Sequence, residues 1–139
     1  SIKNTIPNVS GVLFRRSALV EVFREHWREI DSYRVAGDWC VYVNLLRTGA
    51  LAFTPEALNY HRRHGDSVTI SRFGLNELAE IARMQAYVAR SFQPGHECAI
   101  KSRAYLEKLV HEFDLGSRFT SAQIEGAMHG VVEAQPRRA

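Results

Sequence analysis

The densest set of chemically able side chains in the sequence is Asn59-Tyr60-His61-Arg62-Arg63-His64-Gly65-Asp66-Ser67, which gathers two imidazoles, two guanidiniums and a carboxylate. Guanidinium forks match phosphate oxygens, so the stretch suits a phosphate or a metal-phosphate complex. In an extended chain alternate side chains share a face. His61 and Arg63 would then point one way and Arg62 and His64 the other, which separates the two histidines as ligands of one metal. Their H-x-x-H spacing lacks the second Cys or His pair of a zinc site, and Cys40 and Cys98 lie far away in the chain. Read by itself, the stretch is a solvated basic loop.

Asp38 offers a different chemistry. It stands between Gly37 and Trp39 at the start of a helical pattern, where a carboxylate can act as a general base with an aromatic neighbour to pack against an acceptor. From the residues alone the better reading is the helix N-cap, since most helix-starting aspartates do only that, and the two roles are compatible because a capping carboxylate is held rigidly. Asn8, Ser10 and Gly11 are placed to hydrogen-bond a ligand from a loop leading into a strand, and turn chemistry explains them as readily.

Several elements must position these residues. Gly11 opens a short run of β-formers, which predicts a strand over 11–14. Leu19, Val22, Phe23, His26, Trp27 and Ile30 then recur at helical spacing, predicting a helix over 17–29 capped by Ser17. Asp38 and Gly49 punctuate a second helix, with Gly49 read as a left-handed residue just past its end. Residues 50–54 and 57–62 are short apolar runs separated by Pro55-Glu56, spaced as strands or extended segments. Beyond Ser67 three helices are expected, from Leu75 to near Pro94-Gly95, over 97–113, and from a Ser121 cap to about residue 133. The expectation is therefore an α+β chain, predominantly helical, divided into 1–70 and 71–139. About three β-forming segments are too few for a sheet of their own, so the first part is expected to finish or edge a larger sheet.

Composition narrows the classes. The chain has 139 residues, 45% hydrophobic and 24% charged, which excludes disorder and fibrous repeats. A net charge of +3, evenly spread, gives no electrostatic case for nucleic acid. Two distant cysteines and no signal-like segment lead to a cytoplasmic expectation. No G-x-G-x-x-G, Walker or G-x-S-x-G motif is present, and the four aspartates, Asp31, Asp38, Asp66 and Asp114, never form D-x-D.

Three motifs in order resemble the C-terminal part of the catalytic domain of family 2 glycosyltransferases, which have the GT-A fold. They are Asn8-Val9-Ser10-Gly11-Val12-Leu13-Phe14-Arg15-Arg16; Ala36-Gly37-Asp38-Trp39 followed by Tyr42, Leu45, Leu46 and Gly49; and Leu58-Asn59-Tyr60-His61-Arg62-Arg63-His64 with Ser67-Val68-Thr69. The resemblance covers roughly half the chain. It implies inverting transfer of a sugar from a nucleotide-diphosphate donor to an acceptor hydroxyl, carbohydrate or other. Asp38 would be the general base, Trp39 would wall the acceptor pocket with Ser10 and Gly11 beside it, and Arg62 or Arg63 would neutralise the leaving diphosphate. His64 would reach the metal or the diphosphate, with His61 competing for that role. The family's nucleotide-binding half and its D-x-D are not in this sequence. The expectation is accordingly an incomplete C-terminal portion of a GT-A domain with a three-helix extension, inactive alone. A divalent metal, Mg or Mn, is then expected in the complete enzyme and none in the fragment. The helical part leaves homo-oligomerisation open. A reading from another class is a non-catalytic helical interaction module whose basic loop binds an anion.

Overall fold

The computed structural model describes residues 2–6, 9–56 and 73–132. Among them are five α-helices and no strand. The chain divides into two compact units, Asn4–Ser71 and Ser1–Lys3 with Arg72–Ala139.

In the first unit, a 3₁₀ turn at Val9–Gly11 leads to α1, Arg16–Ser32, and then to α2, Gly37–Thr48. Helix α1 is amphipathic and buries Val22 and Ile30, while Trp27 on its outer face stays exposed. Helix α2 buries six consecutive residues, Trp39 to Asn44, so it is covered on every side over its middle turns. The buried amide of Asn44 is satisfied locally, donating to the Cys40 carbonyl at 2.9 Å. Gly37 permits the close approach of the two helices, because a Cβ there would stand 3.2 Å from the Ile30 carbonyl oxygen at the end of α1.

Several expectations change here. Helix α1 begins one residue earlier than the pattern indicated and has Arg15 at its cap position, so Ser17 lies inside the first turn and caps nothing. Helix α2 is preceded by Ala36, which places Asp38 second in the helix rather than at the cap. Gly49 is extended, with φ −140° and ψ −175°, not left-handed. Residues 11–14 and 50–54 form no strand: 9–11 is a 3₁₀ turn, and 12–15 and 50–55 carry no ladder among the described residues. β-Forming side chains do not suffice, since a strand persists only where neighbouring backbone satisfies its N–H and C=O groups. Leu13 and Phe53 in these segments are 101% and 84% exposed. The described residues thus contain no α/β remnant, and the 57–62 run lies outside them.

The second unit is built from α3, Leu75–Phe92, α4, His96–Glu112, and α5, Ser121–Met128, with a 3₁₀ turn at Leu115–Ser117. Leu78, Ala79 and Ala82 of α3 meet Leu106 and Leu109 of α4, Leu115, and Ala127 and Met128 of α5 in one core. Phe73 and Phe113 stack on it with ring centroids 4.2 Å apart. Burial of each large side chain contributes roughly 1.5–3 kcal/mol. The buried Gln85 amide donates to the Ile2 carbonyl at 2.8 Å and the Ser102 carbonyl at 3.1 Å, fastening the N-terminal residues to this unit. Helix α3 ends at Gln93, which is left-handed, followed by Pro94, which cannot continue a helix. Thr120, not Ser121, caps α5: its hydroxyl accepts from Gln123 N–H at 3.3 Å while the Gln123 side chain accepts from Thr120 N–H at 3.0 Å. The same helix stops short of the expected residue 133. Gly130 at φ +80° lets Val131 N–H reach the Gly126 carbonyl and Gly130 N–H the Ala127 carbonyl, each at 2.9 Å, the paired bonds of a Schellman end.

Candidate active site at Asp38

The candidate site is built by the start of α2 in the first unit. Asp38 is half-buried, and both of its oxygens are engaged. Oδ1 accepts from the Trp39 backbone N–H at 2.7 Å, and Oδ2 accepts from the Asn4 side-chain amide at 3.1 Å. The first bond satisfies one of the N–H groups that a helix start leaves without an intrahelical partner. Asn4 is itself oriented, because its Oδ1 accepts from Ile6 N–H at 3.2 Å. Burial pushes the Asp38 carboxyl above the ordinary aspartate range, against the opposing pull of the Trp39 N–H, the Asn4 amide and its own N–H.

Beside the carboxylate lies a groove of about 410 Å³. Among the described residues, Phe14, Leu19, Phe23, Ile30, Val41 and Tyr42 form most of its wall. Phe14 and Tyr42 stack in parallel, 6.1 Å between centroids. Tyr42 is only 5% exposed, and burial together with the Asp38 charge raises its phenol. Among the described residues the Tyr42 hydroxyl has no hydrogen-bond partner, nor has the Trp39 indole N–H.

The residues singled out from the sequence fall in different places. Asp38 is on the groove. Trp39 is 4% exposed and packed into the unit, so among the described residues the aromatic side chains on the groove are Phe14, Phe23 and Tyr42. Gly11 is exposed in the 3₁₀ turn next to Val9, which does line the groove. Ser10 belongs to that turn, and its side chain lies outside the described ones. Arg62, Arg63, His61 and His64 also lie outside the described residues. Asn4 carried no signal in the sequence, because its partner is 34 positions away.

Other chemistry is limited. Cys40 is fully buried, and burial and the nearby Glu29 push its thiol up to about 11, which leaves it an inert packing group. Among the described residues no three His, Cys, Asp or Glu side chains gather as metal ligands, and no helix is long and apolar enough to cross a membrane. No family model, curated protein or solved structure matches this chain.

Proposed function

We propose that the first unit is the acceptor side of an inverting glycosyltransferase, with Asp38 as its general base. The observation that carries this reading is a half-buried carboxylate, fixed by Asn4 and Trp39 N–H, with its proton affinity raised by burial, on the wall of a ligand-sized groove. Raised basicity and fixed orientation are what a carboxylate needs in order to take a proton from a hydroxyl in the transition state. The order of the three sequence motifs supports the reaction class.

In the reaction, the acceptor oxygen attacks the anomeric carbon as its proton passes to Asp38. The bond from that carbon to the nucleoside diphosphate breaks, and the diphosphate departs with the electron pair, inverting the centre. The donor half and D-x-D are proposed to lie on polypeptide beyond this chain, which alone would not turn over. In the same proposal Arg62 or Arg63 offsets charge on the leaving group, and a divalent cation, Mg or Mn, with His64 near it, supplies further neutralisation in the complete enzyme.

The test is Asp38→Asn in the complete polypeptide, scored by release of nucleoside diphosphate from a panel of nucleotide sugars with acceptor present. Turnover should fall at least about a hundredfold, with folding stability changed by about 1 kcal/mol or less. The wild-type rate should climb with pH through the raised Asp38 titration, since only the ionised carboxylate accepts a proton. An Asp38→Asn enzyme with wild-type turnover removes Asp38 as the base.

A further inference from the structure

Helix α1 packs one side into its unit and leaves another uncovered. Val22 and Ile30 are buried, whereas Arg16, Val20, Arg24 and Arg28 are all exposed. Their spacing of four residues strings them along one side of the helix over about 18 Å, at about 1.5 Å per residue. Trp27 belongs to the same side, three residues after Arg24 and seven after Val20, and it is 54% exposed. Its ring tilts against Phe23 with centroids 5.8 Å apart, a contact that holds the indole at the surface. No ion pair among the described residues engages Arg16, Arg24 or Arg28. Glu21 and Glu25 stand at the border of this side and Asp31 at its C-terminal end, so the cationic strip is narrow. The net charge of +3 is small as a total, yet the helix brings three arginines to one side beside an indole.

We infer that this side of α1 docks on a membrane surface containing acidic phospholipids, with Trp27 and Val20 entering the headgroup boundary and Arg16, Arg24 and Arg28 meeting lipid phosphates. Charge complementarity selects an anionic partner, and the exposed indole selects among the anionic ones. An indole is apolar in its body and polar at its N–H, and it settles at headgroup level. Arginines beside it lay their stems along apolar material while their heads stay in the phosphate layer. A nucleic acid is gripped through many phosphates, and a total of +3 supplies little field for that. An acidic protein would have to enclose Trp27 in a pocket of its own, whereas a bilayer takes the ring from a convex helix without one. One aromatic anchor and three cations make a reversible attachment, far short of the hold of a membrane-spanning helix. The inference is independent of Asp38 and of the transferase reading.

The experiment mixes the full chain with vesicles of phosphatidylcholine alone, and separately with vesicles containing about a quarter phosphatidylglycerol, and follows co-sedimentation and tryptophan emission. Trp39 is 4% exposed, so a change in emission reports Trp27. The chain should sediment with the acidic vesicles only, its emission should move to shorter wavelength, and high salt should release it. Arg24→Gln combined with Arg28→Gln should weaken the attachment at least about tenfold, and Trp27→Phe should abolish the emission change. If either variant fails to fold, quenching of the wild-type emission by brominated lipid chains reports insertion of Trp27 directly, and bound vesicles that give no quenching overturn the proposal. Absence of sedimentation, equal sedimentation with both kinds of vesicle, or an attachment that both variants leave unchanged would overturn it too. Poly-glutamate or single-stranded DNA that shifts the Trp27 emission where vesicles do not would likewise overturn it, assigning this side of α1 to an acidic protein or a nucleic acid.

Discussion

Removing the Asn4 side chain should destabilise the first unit in a pH-dependent way, and the dependence identifies the cause. Asn4→Ala deletes two contacts: the 3.1 Å bond donated to Asp38 Oδ2 and the 3.2 Å bond that Asn4 Oδ1 accepts from Ile6 N–H. Hydrogen bonds to a charged partner contribute about 1.5–3 kcal/mol, but Asp38 is only half-buried and water can replace part of the lost donor. A loss near 1 kcal/mol from this bond is therefore expected at neutral pH. The sign follows from the direction of the titration. Because the folded-state value of Asp38 lies above the ordinary 3.8, its contribution is fully present below 3.8 and is lost as pH rises through the folded value. Asn4→Ala takes away a group that favours the ionised form, so the folded value rises further and more stability is lost at neutral pH. The difference between wild type and variant should be largest near pH 7 and shrink toward about pH 3, leaving only the Ile6 contribution. Urea unfolding followed by tryptophan fluorescence isolates the relevant unit, because Trp27 and Trp39 both lie within Asn4–Ser71. The Asp38 side-chain carbon, followed by ¹³C NMR, should titrate at higher pH in the variant. Equal destabilisation at both ends of the pH range, or a downward move of the Asp38 titration, would refute the assignment of Asn4 as the group that holds the carboxylate.

Two further outcomes concern packing. Iodoacetamide at mildly alkaline pH should label Cys98, which is partly exposed, and spare Cys40, whose thiol is fully buried and raised to about 11; intact mass should show one adduct on the native chain and two after denaturation, and two adducts on the native chain would contradict the burial of α2. Leu78→Ala should lower the stability of the second unit by about 3–4 kcal/mol, since Leu78 is 0% exposed at the centre of its core; far-UV circular dichroism in urea measures it, and a loss under about 1 kcal/mol would mean that the core closes over the deletion.

The helices were legible because their signals are local. The apolar spacing of Leu75, Leu78, Ala79 and Ala82 fixes one face of α3 regardless of what covers it, and Gln93-Pro94 ends that helix by backbone chemistry alone. What failed depends on partners. The residues around Val12 and Phe53 have strand-forming side chains, yet strand formation is decided by pairing that no run of residues contains in itself. The sequence reading put the cap of α5 at Ser121, whereas Thr120 caps it because Gln123, three positions on, completes the reciprocal pair. Within the candidate site, Asp38 was visible as a carboxylate at a helix start. Its holder Asn4 and the groove wall of Phe14, Leu19 and Phe23 were not, because they arise only when segments far apart in the chain meet: Asn4 and Phe14 come from the stretch before α1, and Leu19 and Phe23 from α1.

The position of Asp38 bears on which of its two roles governs. A carboxylate serving only the helix would be most economically placed at the cap itself, in water, where its charge is solvated and its oxygen reaches the first free N–H groups. The cap position is instead Ala36, which is 2% exposed and has no side-chain acceptor. Asp38 lies inside the first turn, where satisfying Trp39 N–H comes with partial removal of its charge from water. A serine or asparagine at a solvated cap would meet the helix's need without that desolvation, so the helix alone does not account for a half-buried carboxylate here. The surplus is a raised, oriented carboxylate at the edge of the groove, and the proposed role of proton acceptor for a bound hydroxyl is one in which both properties would count.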